Sequence, residues 1–282
     1  ASWTKITDGI PADHFTRTIE ADPERQGLLY AGTETGMYIS FDDGASWQSF
    51  QQNLPIVPIT DLEWRDNDLV VATQGRAFWI MEDVMHLHHV SAEDTEKPYT
   101  FHSPYVATLG AENSVRLRYW FAEDQEKGDV TMRILEEDGS IIRTYDDVDA
   151  EAGVNQFNWN MGYEDAESFD GLVMWAGSVR GPQAVPGRYQ ARLIVGEDST
   201  TVGFEIAPDP RSDTPLADLE EKFDFLIAVR DKLSETHKAI KQIRSLRNQV
   251  NDVLDRIPED HVEADTINGF AQHMLDGMKE VE

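Results

Sequence analysis

Of the 282 residues, 53 are Asp or Glu, so the chemistry most readily written on this chain is carboxylate chemistry. Two carboxyl groups hydrolyse a glycosidic bond when one is held protonated and the other ionised at a set separation. Glu34, Glu63, Asp66 and Glu82 are available for such a pair. Among so many acids no spacing singles two of them out, and no catalytic residue is assigned. Asp42 and Asp43 lie in a more telling context, Ser40-Phe41-Asp42-Asp43-Gly44-Ala45-Ser46-Trp47. Asp and Gly there suit a tight reversal, because Asp bonds neighbouring backbone N–H groups and Gly tolerates positive φ. A turn role is preferred to catalysis or calcium binding. No cofactor is expected, and calcium is the one ion the acidic composition leaves open.

Other candidates are weaker. His86, His88 and His89 could ligate a metal, since imidazoles two apart on a strand share a face. No partner carboxylate stands at a diagnostic spacing, so a connector is preferred and no metal site is assigned. Arg76 follows Gly75 at a strand entry, where it would either reach an anionic ligand or clamp a neighbouring sheet. Trp120 and Trp175 would form a sugar-stacking platform or be buried in a core or interface. There is no phosphate loop, nucleophile elbow or zinc motif. With no cysteine, thiol catalysis, disulfides and thiolate metal sites are excluded. A formal charge of −29 argues against a nucleic-acid backbone or an anionic membrane as partner. No run of about 18 apolar residues crosses a bilayer.

The elements that must position these residues change along the chain. Residues 1–85 read as short strands separated by turn signals: 15–21, 28–33, 36–41 and 46–50, then 59–64, 69–73 and 77–81. The second set echoes the first. Ala1-Ser2-Trp3 repeats the end of the Ser40–Trp47 motif, and Ile10-Pro11 stands to Trp3 as Leu54-Pro55 stands to Trp47. The two Trp residues are about 44 residues apart, one blade of a four-stranded propeller. Trp47 is expected to tuck under its hairpin as a small satellite core. The chain is expected to open in mid-repeat, as the carboxyl-terminal piece of a longer protein, with the rest of the ring as its partner.

Residues 86–104 read as a linker. Residues 105–210 read as a β-sandwich, with strands 115–121, 130–135, 141–145, 153–160, 188–195 and 200–206 and an acidic-Gly turn at Glu137-Asp138-Gly139. Residues 211–282 read as a helical tail, a long helix over about 215–256 followed by a second over about 259–281. Asp213 or Thr214 is the expected cap, with Pro215 in the first turn. Lys232, Lys238, Lys241, Arg244 and Arg247 make one helix face locally basic, either solvated or docked on an acidic patch. The helix is also a candidate oligomerisation module.

The Ser-x-Asp-x-Gly-x-Ser-Trp octet resembles the Asp-box, or bacterial neuraminidase repeat, hairpin. The order of acidic-Gly hairpin, Gly153-x-Asn155-x-Phe157-x-Trp159 and Pro186-Gly187-x-Tyr189 resembles the immunoglobulin-like domain of flagellar hook-capping proteins and of secreted bacterial enzymes. With Ala72-Thr73-Gln74-Gly75-Arg76-Ala77-Phe78-Trp79-Ile80-Met81-Glu82-Asp83 and the long helix, nearly the whole chain is similar to large secreted bacterial proteins with sortilin-like or glycosyl-hydrolase-like Asp-box propellers. That family segment usually carries His where Gln74 stands and Asp where Glu82 stands. The resemblance implies a mainly β fold with a C-terminal α part: about two blades of an incomplete β-propeller, an immunoglobulin-like sandwich and a long helix or helical hairpin. It implies a secreted, periplasmic or cell-surface protein with a structural and recognition role toward carbohydrate or peptide. The alternative is part of a glycoside hydrolase whose carboxylates lie mostly upstream. Ser40, Asp42, Gly44, Ser46 and Trp47 are then structural.

Overall fold

The computed structural model describes residues 2–65, 67–91, 94, 96–110, 114–126, 128–258 and 261–281. Ala1 and Asp66, together with Ala92, Glu93 and Thr95 of the expected linker and Glu259 at the expected start of the second helix, lie outside the described residues. The fold is mainly β with two C-terminal helices. It divides into two compact units. The first comprises Ala1–Pro104, Arg118–Asp124 and Ala152–Val154, and the second Tyr105–Leu117, Gln125–Glu151 and Asn155–Glu282.

In the first unit, strands β1 (Thr16–Ala21), β2 (Leu29–Thr33), β3 (Gly36–Ser40) and β4 (Gln48–Ser49) form one antiparallel sheet in chain order. Strands β5 (Ile59–Arg65), β6 (Asp68–Thr73) and β7 (Phe78–Met81) form a second. Each strand lies within about a residue or two of its expected span, because alternation and Gly- or Asp-rich turns mark it locally. The two sheets share one core, with Tyr30, Met37 and Ile39 against Ile59, Leu62, Leu69 and Val71. Alternation sends every second side chain into that core. The opposite face of the second sheet leaves Phe78 and Ile80 exposed.

The stretch read as a linker holds more structure than expected. Val84–His88 is a 3₁₀ turn, and Val84 and Leu87 are buried in the shared core. Strand β8 (Tyr99–Phe101) pairs antiparallel with β10 (Val115–Phe121). The sequence showed only the polar flanks of this stretch, while its three-residue strand is too short for alternation to register.

In the second unit, β11 (Val130–Glu136), β12 (Ile141–Tyr145), β14 (Gly187–Val195) and β15 (Asp198–Ala207) join β9 (Ala107–Thr108) in a sheet of order β12-β11-β14-β15-β9. Strand β13 (Gly153–Trp159) pairs beside β10 in the other sheet. Trp159 is fully buried and meets Tyr189 and Phe204 of the five-stranded sheet at ring separations of 5.9 Å. Between Trp159 and Gly187 the chain makes a long strap with only an isolated bridge, Gly162 to Gln183.

Helix α1 (Leu216–Leu254) runs 39 residues, about 58 Å at 1.5 Å per residue. Its N-cap is Pro215 with no side-chain cap bond, so neither Asp213 nor Thr214 caps it. The Thr214 backbone N–H turns instead to the Ser212 hydroxyl. Helix α2 is Ala264–Val281 and packs on α1, starting later than expected. A His261–Ala264 turn bond precedes it. No helix among the described residues is long and apolar enough to cross a membrane.

Candidate functional site

The Ser40–Trp47 turn is built from its own side chains. The Asp42 carboxylate accepts bonds from the Ser40 hydroxyl (2.8 Å), the Ser46 backbone N–H (2.8 Å) and the Ser46 hydroxyl (2.6 Å). These bonds, led by the Ser46 hydroxyl, hold its pKa below the usual carboxylate value. The Gly44 N–H donates to Ser40 Oγ, and Gly44 takes φ +83°, where a Cβ would sit 2.8 Å from the Ile6 side chain. Trp47 is buried with Ala31 and Tyr38, and its indole N–H donates to the Ile6 carbonyl at 2.9 Å. Trp3, its counterpart by repeat position, is 96% exposed, since residues 2–7 form no strand for its ring to tuck under.

A carboxylate cluster does form, around a residue that sequence reasoning missed. Glu20 on β1 has its pKa raised by burial, then by the charges of Glu63 and Asp61 on β5. Adjacent strands of the two sheets bring these acids together although they are far apart in sequence. Such a group takes up a proton more readily than an isolated carboxyl, one ingredient of general acid catalysis. Of the other expected acids, Glu34 is used up in an ion pair with Arg17 at 2.5 Å. No signal in one sequence distinguishes Glu20 from its fellow acids.

The histidines diverge. His88 Nε2 lies 2.7 Å from Asp22, whose other oxygen accepts the Glu24 and Arg25 backbone N–H groups. His86 Nδ1 is 3.0 Å from the Asp83 carbonyl, and His89 stacks on His102 with centroids 5.5 Å apart. Burial lowers the pKa of His86, His89 and His102. Among the described residues no group of three or more His, Asp or Glu could hold a metal ion.

The three candidate binding residues are not joined by any hydrogen bond or ring contact. Arg76 is exposed, and its side chain makes no bond or ion pair among the described residues, so it clamps nothing there. Its carbonyl accepts the Trp79 indole N–H. Trp120 is half-buried on β10, opposite Thr100 of β8. Trp175 is 100% exposed at the tip of the strap.

The stem of that strap is clasped by α1. Ser234 accepts the Glu167 N–H, Lys241 meets the Glu167 carboxylate at 2.7 Å, and the Arg244 guanidinium lies 4.6 Å over the Phe169 ring. Two residues of the basic face of α1, Lys241 and Arg244, thus meet an acidic stretch of the same chain, Glu164 to Asp170, while Lys232 pairs with Glu235 within the helix. An open cleft of about 580 Å³ lies alongside, lined by Glu164, Asp165, Arg230, Asp231, Glu235 and Lys238 among others.

No protein-family model and no curated protein matches the chain. Among solved structures, CopC from Methylosinus trichosporium OB3b is similar over 39% of this chain and 90% of its own, at 13% identity and TM-score 0.23. The human B7-H4 IgV-like domain is similar over 39% of this chain and 96% of its own, at 16% identity and TM-score 0.21. The computationally designed Ika4 protein covers 73% of this chain and all of its own, at 10% identity and TM-score 0.22. Scores this low carry no argument about function.

Proposed function

We propose that this chain is a non-catalytic structural and recognition part of a secreted Asp-box propeller protein. Its paired sheets β1–β4 and β5–β7 serve as blades, its β-sandwich as an immunoglobulin-like domain, and α1 as a brace. One observation carries the reading: the Asp42 carboxylate accepts three hydrogen bonds from Ser40 and Ser46 of its own turn. The sequence motif that looks most reactive is therefore occupied in holding a hairpin. Arg76 and Trp175 remain uncommitted and exposed, as recognition groups for a carbohydrate or a protein.

A specific observation favours a second reading, a glycoside hydrolase component: Glu20 holds a raised pKa beside Asp61 and Glu63. Incubating the chain with a polysaccharide panel and measuring reducing ends separates the two. The recognition reading expects none above background. Turnover that disappears in both Glu20→Gln and Glu63→Gln would establish the hydrolase instead.

A further inference from the structure

The C-terminal hairpin is an incomplete helical bundle. Stepping round α2 by about 100° per residue, its apolar residues span an arc of roughly 140°. Ile267, Ala271, Leu275 and Met278 occupy one half of that arc and are covered to varying degrees. Phe270 (70% exposed), Met274 (51%) and Val281 occupy the other half, uncovered. Helix α1 repeats the arrangement over its last four turns. Ile240, Ile243, Val250 and Leu254 are half-buried, while Leu246 and Val253 lie exposed on the adjoining arc.

Both uncovered arcs precede the covered ones in the sense of residue numbering. In two antiparallel helices that places them on the same side of the pair. Leu246, Val253, Phe270, Met274 and Val281 therefore form one apolar face that α1 and α2 build together and neither covers. Two helices bury only one side of each other, and a stripe this wide fits a helix with two neighbours.

The rim of this face says what covers it. On a chain of charge −29, the flanking positions along the middle of the face are Gln242 and Gln249 on α1 and Thr266, His273 and Gly277 on α2, with carboxylates, Glu263 and Glu280, only toward the two ends of α2. Carboxylates such as Asp265 and Asp276 fall on the far side of α2, and Lys241 and Arg244 turn to the strap. A Cβ at Gly277 would meet nothing within 4 Å, so a close neighbour has room. A foreign partner would be selected by a charged rim. Two copies of one strongly acidic chain can approach only over a neutral one, and a two-helix face of this kind is self-complementary about a two-fold axis.

We propose that the chain pairs with a second copy of itself through this face, closing a four-helix bundle. The inference is independent of the recognition reading. The test is sedimentation equilibrium of the full chain as a function of concentration and salt. The expected mass is twice 31.9 kDa, with the dimer tightening as salt screens the repulsion between copies. Phe270→Glu and Met274→Glu change side chains exposed in the single copy, so helical circular dichroism should be retained. Each should weaken the dimer by roughly 100-fold, since a carboxylate is then buried in each copy. A single-copy mass up to roughly millimolar concentration would overturn the proposal. A dimer that neither substitution weakens would overturn it too, and so would one that salt dissolves.

Discussion

The His237 imidazole donates from Nδ1 to the main-chain carbonyl of Glu167 at 2.5 Å, and this bond ties helix α1 to the strap between β13 and β14. His237 is the one buried side chain in the 39 residues of α1, and the Phe169 ring meets it edge-on at 5.1 Å. The two arms of the strap bond each other at Tyr163 to Pro182 and Ala166 to Val179, and the Glu167 backbone groups between them find their partners on the helix side chains Ser234 and His237.

His237→Ala should therefore cost the second unit about 1–3 kcal/mol, the penalty for leaving a buried carbonyl unpaired. Urea unfolding measures the loss. Hydrogen exchange should speed up across residues 163–170, and His237→Gln, which keeps a donor, should recover part of the protection. Lys241→Ala should change little, because its pair with Glu167 is exposed on both sides.

Trp47→Ala should cost the first unit roughly 3–5 kcal/mol, since it empties the satellite core and removes the bond to Ile6. Gly44→Ala should cost about 1–3 kcal/mol for a positive-φ residue made to carry a Cβ against Ile6. Thermal melts of both variants give the comparison. A Gly44→Ala protein as stable as the parent would mean the turn is not built as described.

These two groups of contacts differ in how far the sequence revealed them. The turn was legible because the Ser40, Asp42, Gly44 and Ser46 groups that bond within it lie inside eight residues, and the strands because alternation is a local signal. Helix α1 announced itself by periodicity, and its basic face by composition. That Lys241 and Arg244 of this face meet Glu164 to Asp170 was not legible. The partners are some 70 positions apart, and nothing in Asp165-Ala166-Glu167-Ser168-Phe169-Asp170 marks it as a strap. The carboxylate cluster was hidden for the same reason. Glu63 was one of several candidate acids, but only the stacking of β5 on β1 gives it Glu20 as a neighbour.

Acid should loosen the first unit in two stages. Partial desolvation holds the pKa values of His86, His89 and His102 below the usual 6.5. Arg118, Asp83 and His88 face His86, while His88 and Arg25 face His89. Asp94, His89 and Lys97 face His102. The folded state binds fewer protons than the unfolded one between its lowered pKa values and 6.5, so stability present above pH 6.5 falls as pH drops through that window. Asp94 is held at about 2 chiefly by its bond from Lys97. Its contribution is present above the usual 3.8 and is lost as pH falls toward 2. Melting temperature against pH should show both steps, and His89→Asn with His102→Asn should shrink the first. A flat profile from pH 7 to 5 would refute the burial argument.

Glu20 carries the opposite sign. Its pKa is raised, so the stability linked to it is complete below the usual 4.5 and declines as pH rises through the folded value. Glu63→Gln removes one of the two repelling charges. It should lower the Glu20 pKa toward the ordinary range and raise the stability of the first unit at neutral pH. Carboxyl NMR titration reads the first effect and urea unfolding the second. An unmoved Glu20 pKa would show that the acids do not share a site.

The central claim is that the reactive-looking groups hold the fold while the uncommitted ones recognise a ligand. Equilibrium binding of the chain and of Trp175→Ala and Arg76→Ala to a panel of polysaccharides and peptides tests it most directly, with each ligand recovered and analysed afterwards. The account predicts that at least one ligand binds, that one of these substitutions weakens it by roughly 10-fold or more, and that the ligand is recovered intact. A ligand recovered cleaved by the parent chain but intact after incubation with Glu20→Gln would contradict it.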